Sequence, residues 1–373
     1  MIRVAAYLPD GRTGPGRLAE VELEATVTGP AELTLPQLTV RDERGGELLD
    51  PTGPLVHDPA AGGGPLAGAA ADQQARAFGI TNTAYHIHRA LHFATRLLGQ
   101  PLPHLLVRIG VHNAPKRWGG GHYRLPGAAT PAEPYDIAPT GEIHLGGGRT
   151  FLHGPAGAAG VAGPDGVARY FHVPAHNASI IYHEVGHHIC RHTADFRVNR
   201  SRPQGEQHNG KVALDEGTAD FLAAVLLGTP DIYGWHRGHI PQWDPRRRRL
   251  DPRWTMAYLR PGNGGQAHAN GTIWASALWS ARERVLTEGG NPDEFDRMLL
   301  NGLTRLGACE GPVAEERDRR NRFSELLREL ASADATLAPT LLAAMADHGI
   351  LPEGRNADLR ERMQAGTDTA VVT

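Results

Sequence analysis

The feature that most constrains the fold is a segment whose histidines and apolar residues recur at the spacing of an α-helix. Residues 183–187 read His-Glu-Val-Gly-His, with the two histidines four positions apart. Residues four apart lie on one face of a helix. Apolar residues recur at spacings that bury this helix beside the histidines, at Ile180, Ile181, Val185 and Ile189. Two inward imidazoles then need a partner, because unpaired buried polar groups are costly.

A metal ion is the partner that this pattern indicates. Two imidazoles so placed can bind one Zn²⁺ ion, and Glu184 can reach a water molecule at the metal. A catalytic zinc usually takes a third protein ligand, and residues 215–220 place acids at the start of an apolar helix. Asp220, one turn along, can accept a hydrogen bond from the far nitrogen of a ligand histidine. We predict three ligands for a single zinc ion: His183, His187 and Glu216.

Each of these residues has a simpler interpretation when it is taken alone. An H-E-x-x-H pattern occurs by chance, and the chain has 20 histidines. Glu216 alone is a charge that the helix dipole favours, and Asp220 alone is a surface residue. Two other pairs are expected to be structural, surface or supporting groups: His188 with His192 on other faces of the same helix, and His88 with His92, which no acid accompanies.

Length and composition exclude several classes of protein. The 373 residues suffice for two domains or one large bilobal unit, and the net charge of −3 gives no case for nucleic-acid binding. No apolar run reaches membrane-spanning length. The first residues lack the pattern of a signal peptide, so we expect a cytoplasmic protein unless it leaves by another route. Two cysteines, Cys190 and Cys309, exclude a disulfide framework and are expected to be small buried residues.

The N-terminal half has the patterns of strands. Residues 21–28 alternate between apolar and polar, and residues 33–35 and 38–40 continue around Pro36, which suits an edge or a bulge. A Gly/Ala/Pro-rich stretch at 60–71 is typical of a linker. A helix at 83–98, capped by Asn82 and Gly99, precedes strands at 105–111 and 142–145. Residues 152–168 are expected to form a loop.

The C-terminal half, from residue 178, has helical periodicity. Asn177 or Ser179 can cap the first helix, and Gly228 ends the second. Further helices are predicted at 215–227, 270–288, 292–306, 313–332 and 336–347. We therefore divide the chain into a β-rich region with its linker (1–75), an α+β lobe (76–177) and a helical lobe (178–373).

Several segments resemble the gluzincin metallopeptidases of the thermolysin and fungalysin families. Residues 183–187 match their zinc helix, and residues 216–221, Glu-Gly-Thr-Ala-Asp-Phe, look like the fungalysin third-ligand motif. Residues 264–275 are similar to the late histidine segment of these families, and 146–152 resemble more weakly the segment after their substrate-binding edge strand. The resemblance spans about 80–290 in islands. It implies an α+β, bilobal, zincin-like fold with the zinc helix at the junction, and His268 as a donor to the oxyanion.

The chain also departs from these families. The tyrosine that assists the oxyanion has no counterpart between His188 and Asp215, and the substrate-binding asparagine is missing near Tyr135-Asp136. Residues 246–249, four arginines, are where a substrate-binding arginine would lie, although such a run is more typical of a solvated loop. Residues 1–75 match no family segment and are much shorter than the usual prosegment. Stabilisation of the transition state would then rest on His268 and the metal.

The sequence therefore predicts a zinc-dependent peptidase, with an endopeptidase favoured. Glu184 would act as general base, and extended peptide would pair with an edge strand near 142–145. Two alternatives remain. A zinc aminopeptidase shares the helix pattern, but the glycine-x-methionine-glutamate-asparagine strand of those enzymes is missing. A peptide-binding protein that kept the fold and lost activity would fit the missing tyrosine and asparagine. Substrate, oligomeric state and calcium binding are left open.

Overall fold

The computed structural model describes most of the chain, and all structural statements concern that part. The described residues are 1–11, 16–59, 68–112, 118–126, 136–152, 161–162, 168–198, 200, 202–203, 210–234, 248–260, 266–309 and 311–354. The predicted linker and the predicted loop at 152–168 lie largely outside them. Among the described helices, none has the length and apolar character needed to cross a membrane.

The strands lie in the N-terminal half and form three sheets. They are β1 (Ile2–Leu8), β2 (Arg17–Leu23), β3 (Thr26–Gly29), β4 (Glu32–Leu35), β5 (Leu38–Asp42), β6 (Leu105–Val111), β7 (Gly121–Arg124), β8 (Glu142–Gly146), β9 (Arg149–Leu152), β10 (Val161–Ala162) and β11 (Ala168–His172). The largest sheet has the order β3-β4-β5-β6-β8-β7, in which β5, β6 and β8 are parallel neighbours and the other pairs are antiparallel. Strands β1 and β2 pair separately, as do β10, β11 and β9.

Two predictions about sheet edges are wrong. The strand predicted at 142–145 is β8, which lies between β6 and β7 instead of at an edge. On this side of the sheet the edge strand is β7, whose sequence Gly-His-Tyr-Arg carries little of the apolar pattern by which strands are recognised. Pro36 was expected at an edge or a bulge. It lies instead in the turn between β4 and β5, where its nitrogen does not need to donate a hydrogen bond to a neighbouring strand.

The helices are α1 (Ala69–Leu98), α2 (Ala178–His192), α3 (Ala213–Leu227), α4 (Ala267–Thr287), α5 (Pro292–Gly307), α6 (Val313–Arg320), α7 (Phe323–Ala333) and α8 (Ala338–Asp347), with short 3₁₀ turns at Pro174–His176 and Met256–Tyr258. The predicted helix at 313–332 is interrupted. Asn321 donates hydrogen bonds to the carbonyls of Arg317 and Phe196, which ends α6 before α7 begins.

Helix α1 is about twice as long as predicted, at 30 residues. Asn82 does not cap it. Asn82 lies within the helix, and its side chain is buried. The side chain accepts a hydrogen bond from the Tyr7 backbone at 2.9 Å and donates one to the Ala175 carbonyl at 2.8 Å. Gly99 does end the helix in the left-handed conformation, with φ 73°. Asn82, near the middle of α1, therefore joins this helix to β1 and to the turn before α2.

The protein is mixed α/β, with the sheets in its N-terminal half and helices through its C-terminal half. Helix α1 packs against β4, β5 and α2, so one hydrophobic core runs from the large sheet into the helices. The boundary predicted at residue 75 lies inside α1, and β3 to β5 share a sheet with β6 to β8. Of the two free cysteines, Cys190 is buried in α2 and Cys309 is half-buried after α5.

Glycines set the spacing of the helices in the second half. A Cβ atom on Gly186 of α2 would lie 2.7 Å from the Ala219 Cα of α3. A Cβ on Gly217 of α3 would lie 2.3 Å from the Gly271 carbonyl oxygen of α4. Any side chain at these two positions would push the backbones apart. The contacts hold α2, α3 and α4 side by side. This packing brings His183 and His187 of α2, Glu216 of α3 and His268 of α4 close together.

A candidate metal centre

Helix α2 presents two imidazoles to the same point. The Asn177 side chain caps the helix by accepting from the Ser179 backbone at 3.0 Å. His183 and His187 are buried, and their Nε2 atoms lie 3.1 Å apart. The structure thus places both histidines as the helical spacing predicts, on one face and in contact.

Glu216 at the start of α3 completes a set of three donor atoms. Its Oε2 lies 3.2 Å from His183 Nε2 and 3.6 Å from His187 Nε2. This oxygen is buried, and within the described chain it has no hydrogen bond of acceptable geometry. Ligands bound about 2.0–2.2 Å from a tetrahedral zinc stand about 3.3–3.6 Å apart. The spacing and the orphaned oxygen fit a zinc ion.

His187 is oriented by a carboxylate that the sequence analysis assigned no role. Asp215 Oδ1 lies 2.9 Å from His187 Nδ1, and Asp215 Oδ2 accepts from Arg197 at 2.9 Å. Burial opposes protonation of His187, but Asp215 and Glu216 outweigh it and raise the His187 pKa to about 10. Once the ring gives up its extra proton to bind a metal, such a carboxylate keeps the remaining proton on Nδ1 and leaves Nε2 for the metal. The signal in the sequence that could have indicated this role was an acid directly before Glu216, at the start of an apolar helix.

His183 is oriented by the predicted residue, Asp220, whose Oδ1 lies 2.8 Å from His183 Nδ1. Asp220 also receives two hydrogen bonds from Arg248, at 2.6 and 2.9 Å. The expectation of a solvated loop is therefore wrong for Arg248, which is buried at the centre, whereas Arg249 is exposed. Its desolvation is offset by Asp220 and by the Tyr233 hydroxyl at 2.7 Å. Arg246 and Arg247 lie outside the described residues.

Glu184 lies beside the donor set and faces the edge strand. It is buried, and the loss of water around it raises the pKa of its carboxyl group. A Cβ atom on Gly121 of β7 would lie 2.9 Å from Glu184 Oε1. Only a residue without a side chain fits there, so the glycine leaves the carboxylate next to the backbone of the sheet edge.

His268, at the start of α4, lies against the third donor. Its Nδ1 is 2.8 Å from Glu216 Oε2, and its Nε2 is 2.6 Å from Lys211 Nζ. Burial and the charge of Arg248 lower its pKa to about 4, so the ring is neutral near pH 7. The structure brings His268 to the same region as the ligand set, in contact with Glu216. Its assignment as an oxyanion donor stays a prediction.

The other histidine pairs are placed differently. His188 is buried, contrary to the expectation of a surface or supporting group near the metal: its Nδ1 lies 3.1 Å from the Tyr123 hydroxyl and its Nε2 donates to the Pro103 carbonyl. It therefore joins α2 to the sheet. His192 is half-buried and donates to the Thr140 carbonyl. His88 and His92 belong to none of the metal-ligand clusters among the described residues.

Sequence reasoning missed a second group of histidines. His112, His122 and His144 converge from β6, β7 and β8. These histidines are separated by ten or more residues in the sequence and belong to no recognisable motif. Only the pairing of the strands brings them together. Tyrosine 135, the reference point for the missing asparagine, lies outside the described residues.

Comparisons with known proteins add no assignment. A scan against protein-family models finds no family that matches this chain, and a search of curated proteins finds no significant match.

Proposed function

We propose that the protein is a zinc-dependent peptidase, with His183, His187 and Glu216 as the zinc ligands. The observation that carries this proposal is the convergence of their three donor atoms, at 3.1 to 3.6 Å from one another, beside the carboxylate of Glu184. Zinc bound there supplies Lewis acidity towards water and towards a carbonyl group. A buried acid next to such a donor set is the arrangement that metal-assisted hydrolysis requires.

The residues of the chain have separable roles. Glu184 accepts the proton of the attacking water and returns it to the leaving amine. Its raised pKa makes it a better base than a solvated carboxylate. Asp220 and Asp215 hold His183 and His187 in the tautomers that direct Nε2 inwards. We assign His268, neutral and partly exposed, as the donor to a developing negative charge. Its Nε2 lies against Lys211, which can only donate, so the proton that it would donate is on Nδ1, beside Glu216.

The edge strand β7 defines how a peptide would lie. Among the described strands, β7 pairs with β8 alone, so its outer edge can accept an extended chain by β-augmentation. Gly121 places that edge next to Glu184. This assignment replaces the strand at 142–145 as the substrate strand. A peptide bound along β7 needs no free terminus, which favours an endopeptidase.

Glu184→Gln tests the proposal. The variant keeps the shape of the side chain and all three ligands, but loses the proton acceptor. We expect zinc content to be unchanged and cleavage of a peptide library to fall by about 10²–10⁴-fold. His92→Gln, a change at an exposed histidine of α1, is the matched control. Equal cleavage by Glu184→Gln and wild type would refute the mechanism, and a wild type free of zinc at micromolar Zn²⁺ would refute the site.

The second candidate is a peptide-binding protein that does not turn over its ligand. It is favoured by the absence of a tyrosine between residues 188 and 215. Peptides found in the library by affinity but recovered intact from zinc-loaded wild type would support it. Library peptides with blocked ends address the aminopeptidase alternative, because cleavage of these peptides requires an endopeptidase.

A further inference from the structure

We infer that His112, His122 and His144 form a second binding site for a divalent transition metal such as Zn²⁺. His112 Nε2 lies 3.2 Å from His122 Nε2 and 3.3 Å from His144 Nδ1. All three nitrogens lie within 4.8 Å of one another. Ligands of a tetrahedral zinc stand about 3.3 Å apart. The inference concerns a site separate from the proposed zinc centre and does not rest on the proposed peptidase activity.

The hydrogen bonding of His144 turns its Nδ1 towards the other two rings. His144 Nε2 lies 2.6 Å from a Glu142 oxygen, which can only accept, so the ring proton is on Nε2 and Nδ1 presents a lone pair. His112 Nε2 carries at most one proton, to be shared between two neighbouring nitrogens. A cation accepts all three lone pairs at once.

The support behind His144 repeats that of the first centre. Glu142 is fully buried and accepts from Arg108 Nε at 2.8 Å, and Arg108 also pairs with Glu43 at 2.6 Å. Behind a metal-bound histidine, a carboxylate fixes the tautomer and increases the basicity of the ring. Here it directs Nδ1 of His144 towards the other two histidines.

The backbone at His112 is a second, independent observation. Its φ of 53° lies in the left-handed region, which a histidine rarely adopts. Strained backbone persists where the surroundings require it, frequently at ligand sites. This conformation, directly after β6, turns the imidazole towards His122 and His144. The Trp118 ring packs at 4.7 Å from the His122 ring and shields one side of the cluster.

The cluster lies across the sheet from Glu184. Gly121 and Tyr123 face α2, through Glu184 and His188, so His122 between them faces the opposite side together with its partner His144. A metal there would tie β6, β7 and β8 together at the sheet edge. Three imidazoles leave a fourth position for water, and three neutral ligands suit Zn²⁺ better than Mg²⁺ or Ca²⁺.

Metal stoichiometry tests the inference. We expect wild type, dialysed against micromolar Zn²⁺ and analysed by mass spectrometry, to hold two zinc ions per chain. Glu216→Gln and His112→Asn should hold one each, and the double variant none. Asparagine tolerates the left-handed region, so His112→Asn removes the ligand without adding strain. His92→Gln is the control and should keep both ions.

A second variant guards against misfolding. Glu142→Gln keeps the shape of the side chain, and we expect it to weaken zinc binding at the second site by about 10–100-fold while circular dichroism stays unchanged. The inference is overturned if wild type binds a single zinc that survives His112→Asn. It is equally overturned if a second equivalent remains at full affinity in both His112→Asn and Glu142→Gln.

Discussion

The two histidine clusters of this protein share their supports and differ in their charge. In each, a buried carboxylate holds a histidine and is itself held by a buried arginine: Asp220 with Arg248 behind His183, and Glu142 with Arg108 behind His144. The helical cluster (His183, His187 and Glu216) includes carboxylates on the side of its donor nitrogens, those of Glu216 and Glu184. Among the described residues, the sheet cluster (His112, His122 and His144) has imidazoles alone on that side.

The difference separates what is needed to bind a metal from what is needed to use it. Oriented imidazoles are sufficient for binding. Hydrolysis also needs a base within reach of water, and among the residues that the structure describes only the helical cluster has one.

The largest expected effect is on stability, at the arginines that support the two clusters. Arg248→Met and Arg108→Met each leave a buried carboxylate without its arginine, which typically costs about 3–5 kcal/mol. We expect both variants to lower the free energy of unfolding of the metal-free protein, measured by urea denaturation, by amounts in this range. A loss below about 1 kcal/mol at one arginine alone would end the parallel between the clusters.

The next effect is on metal affinity at the helical cluster. Asp215→Asn and Asp220→Asn keep the side-chain size but lose the charge behind His187 and His183. We expect each to weaken zinc binding at this centre by about 10–100-fold, in competition with a chelator. The sheet cluster, which neither carboxylate contacts, should keep its affinity. Equal weakening of both sites would show a general loss of structure instead.

A smaller effect concerns a buried histidine that belongs to neither cluster. His176, in the 3₁₀ turn before α2, donates to the Ala75 carbonyl at 2.7 Å, and burial lowers its pKa to about 4. The unfolded chain, with a pKa near 6.5, binds more protons between these values, so stability is lost as pH falls from 6.5 to 4. From pH 7 to pH 5 this amounts to about 2 kcal/mol.

His176→Gln checks this assignment, because glutamine can donate the same hydrogen bond without titrating. We expect the dependence of the unfolding free energy on pH to become shallower by this amount, while stability at pH 7 changes little. An unchanged slope would mean that other buried histidines, such as His86 with its pKa lowered to about 3, carry the acid sensitivity.

The smallest effect is at the start of α2. Asn177→Ala removes the cap of α2, and we expect a loss of about 1 kcal/mol in unfolding free energy. His183 and His187 lie further along this helix, whereas the sheet cluster lies outside it, on β7, β8 and the residue after β6. Hydrogen exchange should therefore increase in the first turn of α2 and not in β6 or β8. Increased exchange in all three would place the cap in a larger cooperative unit.

Local periodicity was sufficient to predict most helices and the central strands. The strand at 105–111 and the left-handed ends of helices at Gly99 and Gly228 follow from rules that act within a few residues. Asn82 shows where such rules fail. Its side chain has the chemistry of a cap, but contacts with Tyr7 and Ala175, distant in the sequence, place it inside a longer helix.

The geometry of the candidate centre was predictable where a single helix carries it. His183 and His187 meet because four residues make about one turn. Arg248 was missed because a run of arginines is usually solvated, and only the fold shows that Asp220 receives one of them. The histidines of the sheet cluster were missed because strand register, which a single sequence does not reveal, brings them together.

The glycine contacts between α2, α3 and α4 have a consequence for engineering. Because Gly186 packs against Ala219, the distance between the axes of α2 and α3 determines how far Glu216 lies from His183 and His187. Redesign that seeks a larger or differently coordinated ion cannot widen this centre by exchanging side chains around it. Such a redesign would have to move whole helices, so replacing the neighbours of the glycines is a poor way to fit a different ion. Replacing the residues that supply the donor atoms is the available way.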